Sequence, residues 1–434
     1  TTVAQTAHAP AAVRTTVDKR WPRVALPRTP RRTTDLSPYR ALLVAMNPHP
    51  TAHDIEQRMM ALLASFLHDP DTVSRLGNGT TTLRTVREEA LGSSAGGKRI
   101  RALLAYDAFH AISCAAHNAD QGHAMSDGSA TADRSMLDLA CAIEVYQTSA
   151  LIHDDIIDES AVRRGRPSAH RHLSDVMADR RQGSGLALML GNTLATASVA
   201  IAHEALSHLP NTEAGTRAFL DMQHAVEIGQ MLDLSLERMP LDSPKDLVTA
   251  AVDVDHWKTA SYTAVAPLEL GALAGGMEPV RARRLARTVG APLGLAFQLY
   301  DDLLDIVGSS ARTGKPTGGD IREGKRTVLL ADALNLADEP TRAYLAHAFT
   351  SEARDEDTIT TVMAIYEDTG AIDSSRCRID ALLDDSVQAL RDSGLATETI
   401  DALSHACSRV VPRTAHPGHP THGTRTPPEH NGGM

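Results

Sequence analysis

Apolar residues recur at three- and four-residue steps along most of the chain. One series runs through Ile55, Met59, Leu62, Leu63, Phe66 and Leu67, and another contains Leu137, Ala140, Cys141, Ile143, Ala150 and Leu151. This spacing places the apolar side chains on one face of an α-helix. The alternation of apolar and polar residues that is typical of strands is not evident. The pattern therefore predicts an all-α fold.

Polar, glycine-containing segments interrupt the helical pattern at 117–133, 174–185 and 307–326, and each of them predicts a loop. The stretch 182–202 carries no charged residue. Because Gly191 and other small or polar residues interrupt it, we expect a helix buried in protein and no transmembrane segment.

The two ends of the chain differ in composition from the rest. Residues 1–34 contain one acidic and seven basic residues among Thr, Ala and Pro, and residues 413–434 are rich in His, Pro and Gly. Neither composition can bury a core. We therefore predict a disordered basic extension over 1–50, one folded domain over 51–412 and a disordered tail over 413–434.

Composition narrows the class of partner and the compartment. The chain has 43 Lys and Arg against 54 Asp and Glu, a net charge of -11, which argues against a nucleic-acid binder. Its four cysteines are widely separated and form no CxxC pair, so neither a zinc site nor a redox pair is indicated. A reduced, cytoplasmic location is the prediction.

The motif DDxxD occurs twice, each time among apolar residues. The copies are Asp154, Asp155 and Asp158 in LIHDDIID, and Asp301, Asp302 and Asp305 in FQLYDDLLD. On a helix, the first and last aspartates of each copy lie on one face and repel each other. Mg²⁺ relieves such repulsion and prefers one or two carboxylates together with phosphate oxygens. The two copies therefore predict a site for Mg²⁺ and a phosphorylated substrate.

Basic residues near glycines could supply the positive charge that phosphate requires. They are Lys98 and Arg101 in GGKRIR, Arg163 and Arg164 after the first acidic motif, Lys258 in KTASY, and Lys315 and Lys325 after the second. Arginine binds phosphate through a planar fork and lysine as a point charge. Glycine allows the backbone to approach a ligand closely.

Five blocks run in order through residues 96–327: GGKRIR, QTSALIHDDIIDESAVRRG, GQMLDL, KTASY, and FQLYDDLLDIVG with the following GKPTGGDIREGKRT. In this order and spacing they resemble the trans-isoprenyl (polyprenyl) diphosphate synthase family. The resemblance implies a helical bundle around a deep central cavity, with 51–412 as the catalytic domain. It also implies three Mg²⁺ ions per site, a homodimer, and isopentenyl diphosphate and an allylic diphosphate as substrates.

The resemblance also implies roles for individual residues. Asp154, Asp158 and Asp301 resemble Mg²⁺ ligands, and Asp155, Asp302 and Asp305 complete the two motifs. Lys98, Arg101, Gln147 and Arg164 resemble the isopentenyl diphosphate site. Arg163, Lys258, Lys315 and Lys325 resemble the groups that bind the allylic diphosphate. Thr259 and Gln298 resemble polar groups near the reacting carbons, and Asp233 resembles an acidic residue of the cavity.

Product length should depend on the residues before Asp154 on its helix. Ala150 and Ser149 lie four and five residues before it, and both are small. Short-chain farnesyl-type members of the family usually carry an aromatic residue at one of these positions. Tyr146 lies eight residues before Asp154, about 12 Å along the helix, and could form the floor of the tunnel. We therefore predict a C20 product, geranylgeranyl diphosphate.

Four alternatives stay open from the sequence. The product could be farnesyl or a longer polyprenyl diphosphate. A class I terpene cyclase would lack the second DDxxD and the GGKR block. A regulatory subunit of a heteromeric synthase would have lost site residues, and none is missing here. A structural helical protein could carry the aspartates on solvated faces.

Overall fold

The computed structural model describes residues 49–67, 79–119, 127–308, 317–351 and 353–413. These residues are helical almost throughout, which confirms the all-α class. The predicted extension 1–50 and tail 413–434 lie almost entirely outside the described residues, as does Lys315.

Sixteen α-helices, one π-helix and one two-stranded ribbon make up the described part of the chain. The first helices are α1 (Ala52–Phe66), α2 (Gly79–Ser94), α3 (Ile100–Ala119) and α4 (Asp127–Ile157), followed by the strands β1 (Val162–Arg163) and β2 (Arg166–Pro167). Next come α5 (Ala169–Met177), α6 (Arg180–Leu206), α7 (Thr212–Leu236), α8 (Pro244–Asp255), the π-helix (His256–Val265) and α9 (Ala266–Ala274). The remainder comprises α10 (Pro279–Val307), α11 (Gly319–Glu323), α12 (Val328–Leu336), α13 (Glu339–Thr350), α14 (Glu356–Asp368), α15 (Ala371–Arg391) and α16 (Thr397–Ser408).

Several helices begin at a side chain that accepts a hydrogen bond from the first turn. At the start of α1, the Thr51 hydroxyl accepts from the Asp54 amide at 3.2 Å, and the Asp54 carboxylate accepts from the Thr51 amide at 2.9 Å. This reciprocal capping box satisfies two amides that the helix cannot pair. Asp338 and Asp355 cap α13 and α14 in the simpler one-way form.

The predicted loop at 174–185 is wrong except at its centre. Helix α5 runs to Met177 and α6 begins at Arg180, with only Ala178 and Asp179 between them. Gly183, which suggested a loop, lies inside α6, where a Cβ atom would come within 2.2 Å of the Ser174 backbone nitrogen. The glycine therefore allows α5 and α6 to cross closely. The segment 117–133 is also more helical than predicted, because α3 ends at Ala119 and α4 begins at Asp127.

Helix α6 forms part of the core through one face only. Within the described residues it is the one helix long and apolar enough to cross a membrane, and 44% of its most apolar window is buried in the protein. Its inner side packs on α4 and α5, whereas Leu188 and Met189 are exposed. The burial predicted for 182–202 therefore holds for one side of the helix.

The elements that carry the acidic motifs pack on the elements that carry the basic residues. Helix α10 packs on the π-helix and α15, and the π-helix also packs on α7. The β1–β2 ribbon pairs Arg163 with Arg166 in antiparallel register directly after α4. The ends of α4 and α10 are thus close to Lys258 on the π-helix and to the arginines of the ribbon.

Candidate active site

The two acidic motifs lie at the C-terminal ends of α4 and α10. Asp154, Asp301, Asp302 and Asp305 line one cavity of about 1220 Å³. The last turns of these two helices contain no basic residue. Carboxylates at this end of a helix repel one another and face the negative end of the helix dipole. Their charge must therefore be compensated by groups from other elements.

Two lysines from distant parts of the chain compensate the first motif. Lys258 Nζ lies 2.9 Å from Asp154 Oδ1 and 2.6 Å from Asp233 Oδ2. Lys325 Nζ lies 3.0 Å from Asp158 Oδ2. Burial alone would lower the pKa of each lysine, but the surrounding carboxylates raise the pKa of both above its ordinary value. Both lysines are therefore held charged beside the first motif.

Arg163 adds a third positive charge around this motif and forms an ion pair with its middle aspartate, Asp155. Its Nε donates to Asp155 Oδ1 at 2.9 Å, and its Nη2 contacts Asp155 and lies 3.5 Å from Asp154 Oδ2. Burial opposes ionisation of Asp154, but Lys258, Lys325 and Arg163 together lower its pKa to about 2. Asp155 is buried, so it positions Arg163 from behind the cavity wall.

The second motif is held by a chain of side-chain hydrogen bonds. The Thr259 hydroxyl donates to Gln298 Oε1 at 2.7 Å, and Gln298 Nε2 donates to Asp302 Oδ1 at 2.6 Å. Burial and neighbouring carboxylates raise the pKa of Asp302 well above its usual range. Asp305 accepts from the Asp320 amide at 3.0 Å. Asp301 is exposed on the cavity wall and free to meet a ligand there.

Two further acidic residues, which were not predicted from the sequence, line the cavity. Burial and the charge of Asp233 raise the pKa of Asp255 to about 8, and its Oδ2 atom has no partner among the described residues. Burial raises the pKa of Asp320 to about 7, although Lys325 opposes this shift. Asp320 lies in the GGDIREGKRT block. Asp255 lies three residues before Lys258, a helical spacing that could have revealed it.

The acidic residues suit Mg²⁺ that is bound together with a phosphorylated ligand. No group of three or more Asp, Glu, His and Cys side chains in the described part of the chain is arranged to hold a metal ion alone. Mg²⁺ usually takes one or two carboxylates and completes its shell with water and substrate phosphate. Asp154 and Asp301 on the cavity wall provide such carboxylates. Asp158 lies close to the same cavity, because it forms an ion pair with Lys325, which lines the wall.

A second set of basic residues lines the same cavity. Arg101 is buried, its Nη2 donates to the Thr263 hydroxyl at 2.8 Å, and its guanidinium lies 4.0 Å from the centre of the Tyr262 ring. With its amide oriented to satisfy both neighbours, Gln147 accepts from Arg101 Nη1 and donates to Glu144 Oε2, each at 2.9 Å. These contacts fix the guanidinium plane at the cavity wall.

Lys98 and Arg164 extend this second set. Lys98 is exposed in the cavity, and Arg164 Nη1 donates to the Ala95 and Gly96 carbonyls at 3.0 and 3.3 Å. Burial and the neighbouring positive charge of Arg99 lower the pKa of Arg164. Such a concentration of like charge is unfavourable by itself, and an anion would relieve it.

A glycine brings Lys258 to its carboxylate partners. The π-helix that contains Lys258 and Thr259 packs against α7, where Gly229 precedes Asp233 by four residues. A Cβ atom on Gly229 would lie 2.2 Å from the Lys258 backbone nitrogen and 2.4 Å from its Cα. The glycine of the GQMLDL block therefore permits the close approach that joins Lys258 to Asp233. π-Helical turns are often found at functional sites.

The three predicted chain-length residues have different surroundings. Ala150 lines the cavity. Ser149 instead faces α6, where its hydroxyl donates to the Gly191 carbonyl at 2.7 Å. Tyr146 is buried, and its hydroxyl donates at 3.0 Å to the Gln223 carbonyl on α7. Adjacent residues of a helix point about 100° apart, which explains why Ser149 and Ala150 do not share a face.

A family model described as polyprenyl synthetase matches residues 85–366. The chain belongs to the polyprenyl synthetase family. It is 33% identical over 281 residues to the short chain isoprenyl diphosphate synthase of Methanothermobacter thermautotrophicus, covering 64% of this chain and 75% of that protein. It is 30% identical over 326 residues to the geranylgeranyl diphosphate synthase of Mycobacterium tuberculosis, and this match covers 74% of this chain and 82% of that protein.

The fold agrees with this polyprenyl synthetase assignment. The structure is similar to that of a geranylgeranyl pyrophosphate synthase from Corynebacterium glutamicum, which was crystallised with isoprenyl diphosphate and magnesium. The TM-score is 0.67 at 31% sequence identity, and the match covers 83% of this chain and 99% of the other. The resemblance noted from the sequence is thus confirmed, and the chain is a prenyl diphosphate synthase.

Proposed function

We propose that this polyprenyl synthetase condenses isopentenyl diphosphate with an allylic diphosphate and releases geranylgeranyl diphosphate. The observation that supports this reaction most strongly is the presence of two separate sets of basic residues on one cavity. Lys258, Lys325 and Arg163 surround the first acidic motif, whereas Lys98, Arg101 and Arg164 form a set with no acidic motif. Two diphosphates can therefore be bound in different ways at the same time.

The residues around the first motif are suited to holding a leaving group. Lys258, Lys325 and Arg163 would neutralise the diphosphate as its bond to the allylic carbon breaks. Asp154, Asp158 and Asp301 would hold Mg²⁺, with three ions per site. When bound, Mg²⁺ stabilises negative charge on the departing oxygens. Asp302 and Asp305 are tied to Gln298 and to the Asp320 amide on α11, respectively. These contacts would keep the second motif in place between turnovers.

The second set would position the isopentenyl diphosphate for attack on the allylic cation. Arg101 is fixed by Thr263 and Gln147, so its geometry is set before the substrate binds. Holding both reactants in contact removes much of the entropic cost of the reaction. The Thr259 hydroxyl and the Gln298 amide place oxygen atoms beside this region and would stabilise the cation. The released diphosphate is the nearest base for the final proton.

The C20 product length rests on Ala150 and Tyr146. Ala150 lines the cavity and leaves room beside the first motif. Tyr146 lies one helical turn further from Asp154 along α4, and its hydroxyl is hydrogen-bonded to Gln223 on α7. Gln223 in turn precedes Val226, a residue of the cavity wall, by three positions. A chain growing along α4 would meet the Tyr146 ring below Ala150. We propose this ring as the floor of the tunnel.

We also propose a homodimer that buries the outer faces of α6 and α7, in a cytoplasmic setting. Met189 on α6 and Met231 on α7 are 58% and 61% exposed, and Leu188, Leu220 and Leu234 on the same two helices are exposed as well. Helix α6 carries no charge between Arg181 and His203. A second copy of the chain supplies the matching apolar face. All four cysteines are free, which fits a reducing compartment.

One assay tests the reaction and the product length together. Labelled isopentenyl diphosphate, Mg²⁺ and each of the C5, C10 and C15 allylic primers are incubated with the protein, and the products are sized. We expect a C20 product, and we expect Asp154→Ala and Asp301→Ala to reduce turnover by orders of magnitude with an unchanged circular dichroism spectrum. Near-normal turnover in either variant contradicts the mechanism. A dominant C15 or C25 product contradicts the tunnel floor alone.

A further inference from the structure

Arg326 is a cavity residue to which the mechanism above gives no role. It follows Lys325 and precedes α12, and its side chain lines the active-site cavity. Only 8% of the residue is exposed. Neither its Nε nor its Nη1 atom has a hydrogen-bond partner among the described residues. Buried guanidinium nitrogens without acceptors are unfavourable, so this arrangement requires an explanation.

The cost of burying Arg326 outweighs the effect of the charged groups around it. Burial lowers the pKa of Arg326, the negative charge of Glu237 opposes this only in part, and the positive charge of Arg354 adds a smaller lowering effect. Arg354 itself donates to the carbonyls of Ala348 and Ser351 and brings no negative charge. No ion pair of Arg326 is formed within the described ranges of the chain, where a buried arginine normally has one.

Each of the other arginines of the cavity wall forms at least one hydrogen bond. Arg163 binds Asp155, Arg101 binds Thr263, and Arg164 donates to backbone carbonyls. Arg322, four residues before Arg326, donates to Glu356 at 2.8 Å. Among these five arginines, Arg326 alone forms no hydrogen bond within the described residues, although Nε of Arg101 also lacks an acceptor.

We propose that Arg326 binds the diphosphate of the allylic substrate, and that its guanidinium lacks a partner in the free protein because the partner is this ligand. The proposal rests on the proposed function. Lys325, its neighbour in the chain, contacts Asp158 of the first motif, which places Arg326 beside the allylic set rather than the Arg101 set. Nε and Nη1 are closed to water in the free protein, so binding requires a rotation of the guanidinium that presents these two atoms to the ligand in the cavity.

Binding of inorganic pyrophosphate tests this role without any prenyl substrate. Calorimetric titration with pyrophosphate and Mg²⁺ should give a Kd that is about 10- to 100-fold higher for Arg326→Gln than for the wild type, as expected for a lost charge-assisted hydrogen bond. Arg326→Lys keeps the charge without the fork and should fall between the two. Arg322→Gln is the matched control, because it removes a guanidinium that already has a partner, and its Kd should change less than about threefold.

Thermal unfolding separates ligand binding from a structural role. Without pyrophosphate, Arg326→Gln should melt at the wild-type temperature or higher, because it removes an unsatisfied buried charge. A melting temperature several degrees lower, or a Kd within about twofold of the wild type, overturns the proposal. In the prenyl-transfer assay, the KM for the allylic primer should rise while the KM for isopentenyl diphosphate stays constant. Equal increases in both also overturn it.

The failure of the proposed function would look different. If the wild type binds pyrophosphate but transfers no prenyl group with any primer, the condensation reaction is refuted, and the Kd comparison still decides whether Arg326 binds a diphosphate.

Discussion

Gly229→Ala is the substitution for which the structure predicts the largest effect from a single methyl group. The new Cβ would lie 2.2 Å from the backbone nitrogen of Lys258. Non-bonded carbon atoms normally stay about 3.5 Å apart, so α7 and the π-helix must separate by roughly 1 Å. Overpacking of this kind costs about 1–3 kcal/mol. The shift would also pull Lys258 away from Asp233 and from Asp154.

The catalytic loss should exceed the loss of stability. A displacement of about 1 Å in a positioned group can reduce the rate about 100-fold. We therefore expect Gly229→Ala to lower kcat/KM for the allylic primer about 100-fold, measured by incorporation of labelled isopentenyl diphosphate. The melting temperature should fall by only a few degrees, because the protein is large.

Gly215→Ala provides the matched control on the same helix. There the new Cβ would meet Cδ2 of Leu206 at 2.6 Å, and this atom is the tip of a side chain that can rotate away. We expect kcat/KM within about twofold of the wild type, since alanine also favours the helix by about 1 kcal/mol. Wild-type activity in Gly229→Ala, or an equal loss in both variants, would refute the reasoning about backbone contact.

Three further predictions concern product length, pH and assembly. Tyr146→Ala should give products longer than C20 on thin-layer analysis, whereas Tyr146→Phe, which keeps the ring, should not. The pKa of Asp255 is raised to about 8, so the folded, metal-free protein holds a proton that the unfolded chain releases near pH 4. The free energy of unfolding therefore decreases as the pH rises from about 4 to about 8. Asp255→Asn should therefore melt higher than the wild type at pH 9 and equally at pH 4; a constant difference would contradict the assigned shift. Met189→Glu should give monomers in sedimentation experiments, whereas Val280→Glu, on a residue 74% exposed on α10, should leave the dimer intact.

The fold class and the main site elements could be predicted because their signals are local. Helical periodicity depends on neighbours three and four residues away, and so does the shared face of the aspartates in each DDxxD. Loops were predicted less well. Gly183 is typical of a loop in isolation, but its purpose is the close crossing of α5 and α6, a contact that the local sequence does not contain.

Contacts between distant residues explain what the sequence could not reveal in the site. In GGKRIR, the sequence singles out Lys98 and Arg101 but gives no role to Arg99, which the structure shows to be buried and paired with Glu56 at 3.0 Å and Glu144 at 3.5 Å. The backbone of Arg99 has a φ of 54°, which turns its side chain into the core just before α3 begins. The spacing of Asp255 from Lys258 is visible in the sequence, but its position beside Asp233 depends on the packing of α8 on α7.

The pairing of Lys258 and Lys325 with the first motif has a consequence for the order of binding. In the free protein these ammonium groups act as internal counter-ions for Asp154 and Asp158. A divalent cation that arrives alone must compete with them and leaves them without a partner. A cation that arrives with a diphosphate exchanges partners, since the carboxylates take the cation and the lysines take the phosphate. Each ligand should therefore strengthen the binding of the other, and neither should saturate the site separately.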